Sequence, residues 1–420
     1  MPDSAEMLTK FDSWLLQEIR QLMDQRVNNF CDLVLRLPSV YPSDVMAVLK
    51  TLADEDPGDK RALSLAVSAT DKAPTEIREP ISTLRPPHPL DFEWRFSASA
   101  TKEIAEKIKL LTPTDGKIAL IATPSIAAQI DTLKIASECA YIGRDAEEVR
   151  ILSGARGISR WIVADLGIES ELGLRFDTVV MDPPWYDEYM LRFLWYSAQL
   201  CRTGGVTLIS MPGVGTRPGI KKELNRYRRY WEELGFIAEA VESQRIPYVM
   251  PRFEKNSLNA VGIRNVSQTW RRGDLVRLRK LRATEVKWLG NLHFEPWEEF
   301  NFGKVRIRVN TQGQGGEGKP ELISLLPHHV LPTVSRRDTR RAQARVWTSG
   351  NRVFGCDSPK LLATYLQKSS SNFSSKAWTD TPHKSPQLSI NDYFDKQSLN
   401  TQIESLVNLE LLEIFNEAQD

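Results

Sequence analysis

Cysteine is scarce in this sequence, neither sign of charge dominates, and no long apolar run is present. The 420 residues include only four cysteines, Cys31, Cys139, Cys201 and Cys356. They form no CxxC pair and have no histidine at zinc-ligand spacing, so we expect free thiols and no metal site. Lysine and arginine total 55, against 54 aspartate and glutamate residues. This balance excludes a chain-wide polycation, so any affinity for nucleic acid must come from local basic patches.

Signals that direct a chain to a membrane or through it are also lacking. No apolar run reaches the roughly 20 residues that a transmembrane helix needs. The N-terminus has no basic segment followed by an apolar one. We therefore expect a cytoplasmic protein. A prior of about 100–200 residues per domain predicts two or three domains for a chain of this length.

The most informative stretch runs from residue 176 to residue 185 and reads FDTVVMDPPW. Its apolar, β-branched part, residues 178–181, predicts a buried strand. Pro183 and Pro184 cannot donate to a sheet ladder, so the strand must stop at Asp182. A carboxylate and the indole of Trp185 are therefore expected at a strand end, which is where open α/β sheets bind their ligands.

Strand-like and helix-like segments alternate from Gly116 onwards. This alternation predicts an α/β fold with a mainly parallel sheet that helices cover on both faces. The seven predicted strands are residues 117–122, 139–142, 160–164, 178–181, 206–210, 236–241 and 258–263.

Composition and apolar spacing predict the domain organisation of the whole chain. The N-terminal helices are a candidate surface for a homodimer or a protein partner. The predicted segments are a helical module at 1–75, a proline-rich linker at 76–91, an α/β domain at 92–264, a basic strand-rich α+β extension at 265–366, a mobile serine-rich segment at 367–389 and a C-terminal amphipathic helix at 390–420.

The strand that leads into Asp182-Pro183-Pro184-Trp185 resembles the catalytic DPPW motif of amino-methyltransferases that depend on S-adenosylmethionine (SAM). This class methylates exocyclic amines such as adenine N6. The pattern over residues 92–264 is similar to the class I Rossmann-like methyltransferase sheet of seven strands. The resemblance implies that fold, SAM as the cofactor, and nucleic acid, either DNA or RNA, as the partner.

The chemistry of amine methylation explains the residue types in the motif. An exocyclic amine is a poor nucleophile because its lone pair is delocalised into the ring. The carboxylate of Asp182 can accept one amine hydrogen and the carbonyl of Pro183 the other, which orients the nitrogen toward a methyl donor. Trp185 offers a flat face on which a base can stack. The catalytic candidates are therefore Asp182, Pro183, Pro184 and Trp185, although a Pro-Pro turn with Trp185 in the core explains the same residues.

The resemblance also implies a cofactor side. In that family the turn after the first strand holds the methionyl part of SAM, and here this turn reads Ala122-Thr123-Pro124-Ser125, without a Gly-x-Gly. Asp145 stands about 20 residues further on, where the family often has an acidic residue on the ribose hydroxyls. Asp165 ends the third predicted strand, where an acidic residue can meet the adenine amine. Asp145 is also well suited to begin a helix.

Arginines cluster downstream of the predicted sheet. Between residues 264 and 287 they alternate with apolar residues and lie near tryptophans, which suits phosphate contacts and base stacking. The same alternation fits the exposed face of a sheet edge. A second arginine group precedes Trp347. The candidate nucleic-acid contacts are Arg271, Arg272, Arg277, Arg279, Arg336 and Arg337.

Two other functions stay open. One is a non-catalytic methyltransferase-like module for nucleic-acid binding or assembly, which the missing glycine motif favours and the complete DPPW motif argues against. The other is an aminopropyltransferase, because the order of helical module, sheet and Asp-Pro-Pro-aromatic motif is similar to branched-chain polyamine synthases. Those enzymes carry an acidic cluster after the first strand, where this chain has residues 122–125.

Overall fold

The computed structural model describes residues 4–73, 84–135, 138–166, 172–287, 290–291, 296–312, 320–336, 338–371, 373 and 397–419. The chain divides into two compact units. The first comprises Met1–Leu84, Trp94–Met250 and Ile263–Leu292, and the second comprises Arg85–Glu93, Pro251–Gly262 and His293–Asp420. None of the helices within the described ranges has the length and apolar character that a bilayer crossing requires.

The first unit begins with helices, as the sequence predicts for its N-terminal module. They are α1 (Ser4–Asp24), α2 (Phe30–Arg36), α3 (Pro42–Glu55) and α4 (Lys60–Ser68). Polar side chains begin two of them: Asn29 accepts a hydrogen bond from the Asp32 amide at α2, and Asp59 accepts one from the Arg61 amide at α4. Such caps satisfy backbone donors that the first helical turn leaves unpaired.

The rest of the first unit is an α/β domain. Its helices are α5 (Ala98–Leu111), α6 (Pro124–Ala127), α7 (Ile130–Leu133), α8 (Ala146–Leu152), α9 (Asp187–Leu200) and α10 (Ile220–Glu233). Its strands are β1 (Arg95–Phe96), β2 (Lys117–Ile121), β3 (Glu138–Gly143), β4 (Arg160–Val163), β5 (Phe176–Met181), β6 (Cys201–Pro212), β7 (Phe236–Val249) and β8 (Arg272–Lys280).

These eight strands form one sheet in the order β1-β7-β8-β6-β5-β2-β3-β4. The pairs from β6 to β4 are parallel, whereas β8 is antiparallel to both β6 and β7. This mainly parallel α/β sheet confirms the predicted Rossmann-like methyltransferase fold. The short β1, which pairs with β7, is not among the seven predicted strands.

Strand β5 lies in the interior of the sheet, between β2 and β6. Every one of its residues is buried, as expected for an apolar run in a parallel sheet that is covered on both faces. It ends at Met181, directly before Asp182. The central strand and its end are therefore where the sequence predicts them.

The last predicted strand is wrong. Residues 252–260 form helix α11 (Arg252–Ala260), so the apolar run at 258–263 is not a strand. The strand that completes the sheet is β8, which the sequence analysis assigned to the basic extension. A short apolar run fits a helix and a strand equally well, and here only Leu258 and Ile263 of the run are buried, whereas Val261 is exposed.

The second unit is an α+β assembly with its own core. Beside α11 it contains β9 (Trp297–Phe302), β10 (Val305–Asn310), β11 (Ile323–Ser324), β12 (Val346–Thr348), β13 (Val353–Gly355), α12 (Pro359–Ser371) and α13 (Leu399–Gln419). Its antiparallel sheet has the order β11-β13-β12-β10-β9. Phe300 and Ile307 of the sheet share a buried cluster with Leu362 of α12 and Leu406 of α13.

Candidate active site

The carboxyl ends of the parallel strands bring several of the predicted residues to one edge of the sheet. Met181 of β5 is in register with Ile121 of β2, and the Asp182 amide donates to the Ile121 carbonyl across 3.3 Å. The Ala122 amide donates to the Ile142 carbonyl across 3.0 Å, which joins the first turn to the end of β3. The DPPW segment and the turn at 122–125 are therefore neighbours, in the position where α/β sheets of this kind bind ligands.

The carboxylate of Asp182 accepts a hydrogen bond from the phenol of Tyr248. The distance from the Tyr248 oxygen to Asp182 Oδ1 is 2.5 Å, and the distance from the same oxygen to Ser210 Oγ is 2.6 Å. Because the phenol has a single hydrogen and donates it to Asp182, Ser210 is the donor to Tyr248. Hydroxyls on β6 and β7 thus form a directed chain that ends on the predicted catalytic carboxylate and fixes one of its oxygens.

Burial raises the pKa of Tyr248 well above its usual value, and the neighbouring charge of Asp182 raises it further. The phenol therefore keeps its hydrogen and remains a donor throughout the physiological range. A short charge-assisted bond of this kind holds a side chain in place more strongly than a bond between neutral groups.

Trp185 is packed against protein and leaves only 8% of its surface exposed. Its indole meets the ring of Tyr248 edge-on, with the centroids 5.6 Å apart. The guanidinium carbon of Arg271 lies over the indole, 4.3 Å from its centroid. A Cβ atom on Gly273 would lie 3.0 Å from the indole, so β8 also comes close to this ring. The open stacking face expected from the sequence is thus covered by Arg271.

The first turn has the backbone shape of a glycine turn although it contains no glycine. Ala122 has a φ of 50°, in the left-handed region that glycine adopts without strain. Pro124 then begins α6, and Thr123 leaves only 1% of its surface exposed. The hydroxyl oxygen of Thr123 is buried and has no hydrogen-bond partner among the described residues. Ser125 is buried in the same turn.

Asp145 and Asp165 follow the ends of the next two strands. Asp145 Oδ1 accepts hydrogen bonds from the amides of Glu147 (2.9 Å) and Glu148 (3.1 Å), so this carboxylate caps α8. Asp165 follows β4 and is partly exposed. The Ala164 amide, just before it, donates to the Gly143 carbonyl of β3 across 3.0 Å. Asp145 therefore begins a helix, as one interpretation of the sequence expected. It also lies just after the end of β3, where the ribose contact was predicted.

Most of the predicted nucleic-acid contacts in the first unit are engaged within the protein. Arg277 and Arg279 of β8 both pair with Glu239 of β7, at 3.1 Å and 2.7 Å. The backbone amide of Arg272 donates to Ser39 Oγ of the helical module across 2.7 Å, and the Nε of its side chain is buried without a hydrogen-bond partner among the described residues. Strand β8 lies between β6 and β7, so the basic run is not at the sheet edge that the alternative interpretation expected. Arg277 and Arg279 lie on one partly exposed face of the sheet.

The second unit holds Arg336, which is exposed, with its guanidinium carbon 5.6 Å from the centroid of Phe92. Arg337 lies outside the described residues.

Sequence reasoning missed Tyr248, Ser210 and Trp94 as parts of the site. Trp94 lies in the first unit, and its indole centroid is 4.6 Å from the guanidinium carbon of Arg271. A signal for Tyr248 existed: Ile246, Tyr248 and Val249 are residue types that favour strands, and they continue β7 beyond residue 241.

No protein-family model matches the chain, and no curated protein matches it in sequence. Several solved structures resemble part of this chain. A branched-chain polyamine synthase mutein from Thermus thermophilus, in complex with N4-aminopropylspermidine and 5'-methylthioadenosine, is 14% identical over 62% of this chain and 69% of that one, with a TM-score of 0.42. A putative RNA methyltransferase from Pyrococcus horikoshii is 17% identical over 48% and 94%, with a TM-score of 0.34. A TehB-like SAM-dependent methyltransferase from Corynebacterium glutamicum is 13% identical over 43% and 87%, with a TM-score of 0.30.

Proposed function

We propose that this protein transfers a methyl group from SAM to an exocyclic amine, with adenine N6 in nucleic acid as the acceptor. One observation carries the proposal: the carboxylate of Asp182 lies at the carboxyl edge of the sheet, beside the turn at 122–125, and Tyr248 holds it there. A carboxylate held in this way can orient an amine without rearranging during the reaction, which is the most effective kind of electrostatic catalysis.

The acceptor amine is positioned by the DPPW segment. Asp182 accepts one amine hydrogen and the Pro183 carbonyl accepts the other, so the nitrogen lone pair turns out of conjugation and toward the donor. The Ser210–Tyr248 chain keeps Asp182 from rotating away when the substrate is absent. SAM supplies an electrophilic methyl group on a sulfonium.

The residues at the neighbouring strand ends fit such a cofactor. The left-handed backbone at Ala122 gives the first turn the sharp bend that a close approach of backbone to ligand needs. The buried hydroxyl of Thr123 has no partner within the described part of the chain, so it can bond a polar group of the cofactor. Asp145 and Asp165 would supply carboxylates toward the ribose and the adenine amine.

A transfer assay with methyl-labelled SAM tests the proposal. DNA, RNA and polyamine acceptors are supplied separately, and digestion of the labelled nucleic acid identifies the methylated nucleoside. We expect N6-methyladenine from one of the nucleic acids and no labelled polyamine. Label on no acceptor, or on polyamine alone, contradicts the proposal. A parallel arm with decarboxylated SAM tests the aminopropyltransferase alternative, against which the lack of acidic residues at 122–125 argues.

A non-catalytic module is the second candidate, because Ala122 replaces the usual glycine and Arg271 covers Trp185. Calorimetry with SAM distinguishes the two. Binding heat is expected for the enzyme, and its absence at millimolar SAM favours the module. Two further points stay predictions. One is that the exposed Arg336 contacts nucleic acid, and the other is that the N-terminal helices bind a second copy of the chain or a protein partner.

A further inference from the structure

The guanidinium of Arg271 is held by two indoles. Its central carbon lies 4.3 Å from the centroid of Trp185 and 4.6 Å from that of Trp94, both well within cation–π range. Trp185 belongs to the DPPW motif, and Trp94 directly precedes β1. Two tryptophans from separate segments therefore form the walls of one slot, and a planar side chain fills it.

The walls of this slot are more deeply buried than its occupant. Trp94 and Trp185 each leave 8% of their surface exposed, and the ring of Trp270 packs edge-on against Trp94 with centroids 5.8 Å apart. Arg271 is partly exposed and lies just before β8 begins. Its long side chain can leave the slot by rotation about its own bonds, without disturbing the sheet.

The contents of the slot indicate what else can enter it. A guanidinium is planar and delocalised and carries N–H groups along its edge. The amidine part of adenine, formed by N1, C6 and the N6 amine, is likewise planar and delocalised, and it carries an N–H group at its edge. Indole faces bind both kinds of group. Tyr248, which contacts Trp185, also donates to Asp182, so the slot adjoins the carboxylate that accepts amine hydrogens.

We propose that the slot between Trp94 and Trp185 binds the substrate's aminated heterocycle, and that Arg271 is an internal occupant that must leave before the substrate enters. The identity of this ligand rests on the proposed function, whereas the displacement of Arg271 does not. In this arrangement Arg271 is a gate that determines specificity: only a flat group able to compete with a guanidinium for two indoles gains access to Asp182.

Binding of radiolabelled adenosine, measured by equilibrium dialysis on the full chain with the cofactor side saturated by unlabelled S-adenosylhomocysteine, tests this gate. Arg271→Ala should bind adenosine about tenfold more tightly than the wild type, because the closed slot no longer competes with the ligand. Guanidinium chloride at low millimolar concentration should weaken adenosine binding to Arg271→Ala, because the ion refills the slot. Adding Trp94→Leu to Arg271→Ala should abolish the gain.

The matched control is Arg245→Ala, which removes a surface arginine of β7 that pairs with Glu103. Its affinity for adenosine should equal that of the wild type. If Arg271→Ala does not fold, Arg271→Met keeps an apolar stem in the slot without the planar cation, and a smaller gain is expected. Equal adenosine binding by the wild type and the folded Arg271 variant, or a gain that survives Trp94→Leu, overturns the gate. This experiment measures binding and not methyl transfer. If the transfer assay finds the protein inactive while Arg271→Ala still binds adenosine more tightly, the proposed function is refuted and the gate is supported.

Discussion

Tyr248 donates its phenolic hydrogen to Asp182 across 2.5 Å, although the two residues are 66 positions apart in the chain. The bond links the antiparallel part of the sheet to the end of its central parallel strand. It determines where the motif's carboxylate points.

Replacing Tyr248 by phenylalanine should lower methyl transfer by about 10²-fold, because Asp182 loses the donor that fixes it. The fold should persist, since the ring that packs on Trp185 is kept. Single-turnover transfer and thermal unfolding measure the two effects. Tyr230→Phe is the matched control: that hydroxyl is buried without a partner among the described residues, so its removal should leave transfer unchanged and should not lower the unfolding temperature. Equal transfer by the two variants contradicts the role of Tyr248.

Gly273→Ala should disturb the site from the backbone of β8. A Cβ atom there would lie 2.6 Å from Ser210 Oγ and 3.0 Å from Trp185. Overpacking of this kind costs about 1–3 kcal/mol of folding free energy, and we expect transfer to fall with it. Urea unfolding and initial rates measure both. Gly154→Ala, where an added Cβ meets nothing within 4 Å, should behave as the wild type. A stable and fully active Gly273→Ala protein would show that Ser210 and Trp185 need not keep their positions.

Ala122 tests whether the first turn binds SAM through its left-handed backbone. Ala122→Gly should retain or tighten SAM binding, because glycine adopts a φ of 50° without strain. Ala122→Val should lose roughly 1–2 kcal/mol of stability, since a β-branched residue is disfavoured in that region, and should bind SAM more weakly. Calorimetry and thermal unfolding compare the pair. Similar SAM affinity in the two variants argues against this turn as the cofactor site.

The second unit should lose stability in acid through Glu299. Burial opposes ionisation of this carboxyl, but Arg306 and Arg308 outweigh it and lower its pKa to about 2. Arg308 Nε lies 2.8 Å from Glu299 Oε2. A lowered pKa stabilises the folded state above the ordinary pKa near 4.5, and this stability is lost as the pH falls from there toward 2. The full effect is about 3 kcal/mol.

Urea unfolding at about pH 6 and about pH 3 measures this loss. Glu299→Gln should be less stable at the higher pH and should show a smaller difference between the two conditions than the wild type. Glu298→Gln, an exposed neighbour on β9, should keep the wild-type difference. If Glu299→Gln loses as much unfolding free energy between the two pH values as the wild type does, other groups cause the acid sensitivity.

The sequence located the central strand and its end because the evidence is local there. An apolar β-branched run and two prolines fix residues 178–184 without information from elsewhere. The same holds for Ala122–Ser125, which follows a clear strand, and for the cap at Asp145. Patterns that a few adjacent residues determine were thus predictable.

Long-range pairing explains what was missed. Strand β8 lies between β6 and β7, and its Arg279 pairs with Glu239 of β7. In the sequence alone this partner is not visible, so the arginines of β8 resemble a nucleic-acid patch. Strand β7 changes register between Glu242 and Ile246, near Gln244 with a φ of 52°, and this irregularity hid the segment that carries Tyr248. The cover over Trp185 comes from Arg271, which no local pattern connects to it.

The most direct measurement is single-turnover methyl transfer from labelled SAM to an adenine-containing oligonucleotide by Asp182→Asn, with SAM affinity measured by calorimetry on the same preparation. Asparagine keeps the shape of the side chain but accepts amine hydrogens far more weakly than a carboxylate. We predict a transfer rate lower by about 10²- to 10³-fold, with unchanged SAM affinity and a retained cooperative unfolding transition. Transfer by Asp182→Asn at the wild-type rate would contradict the account.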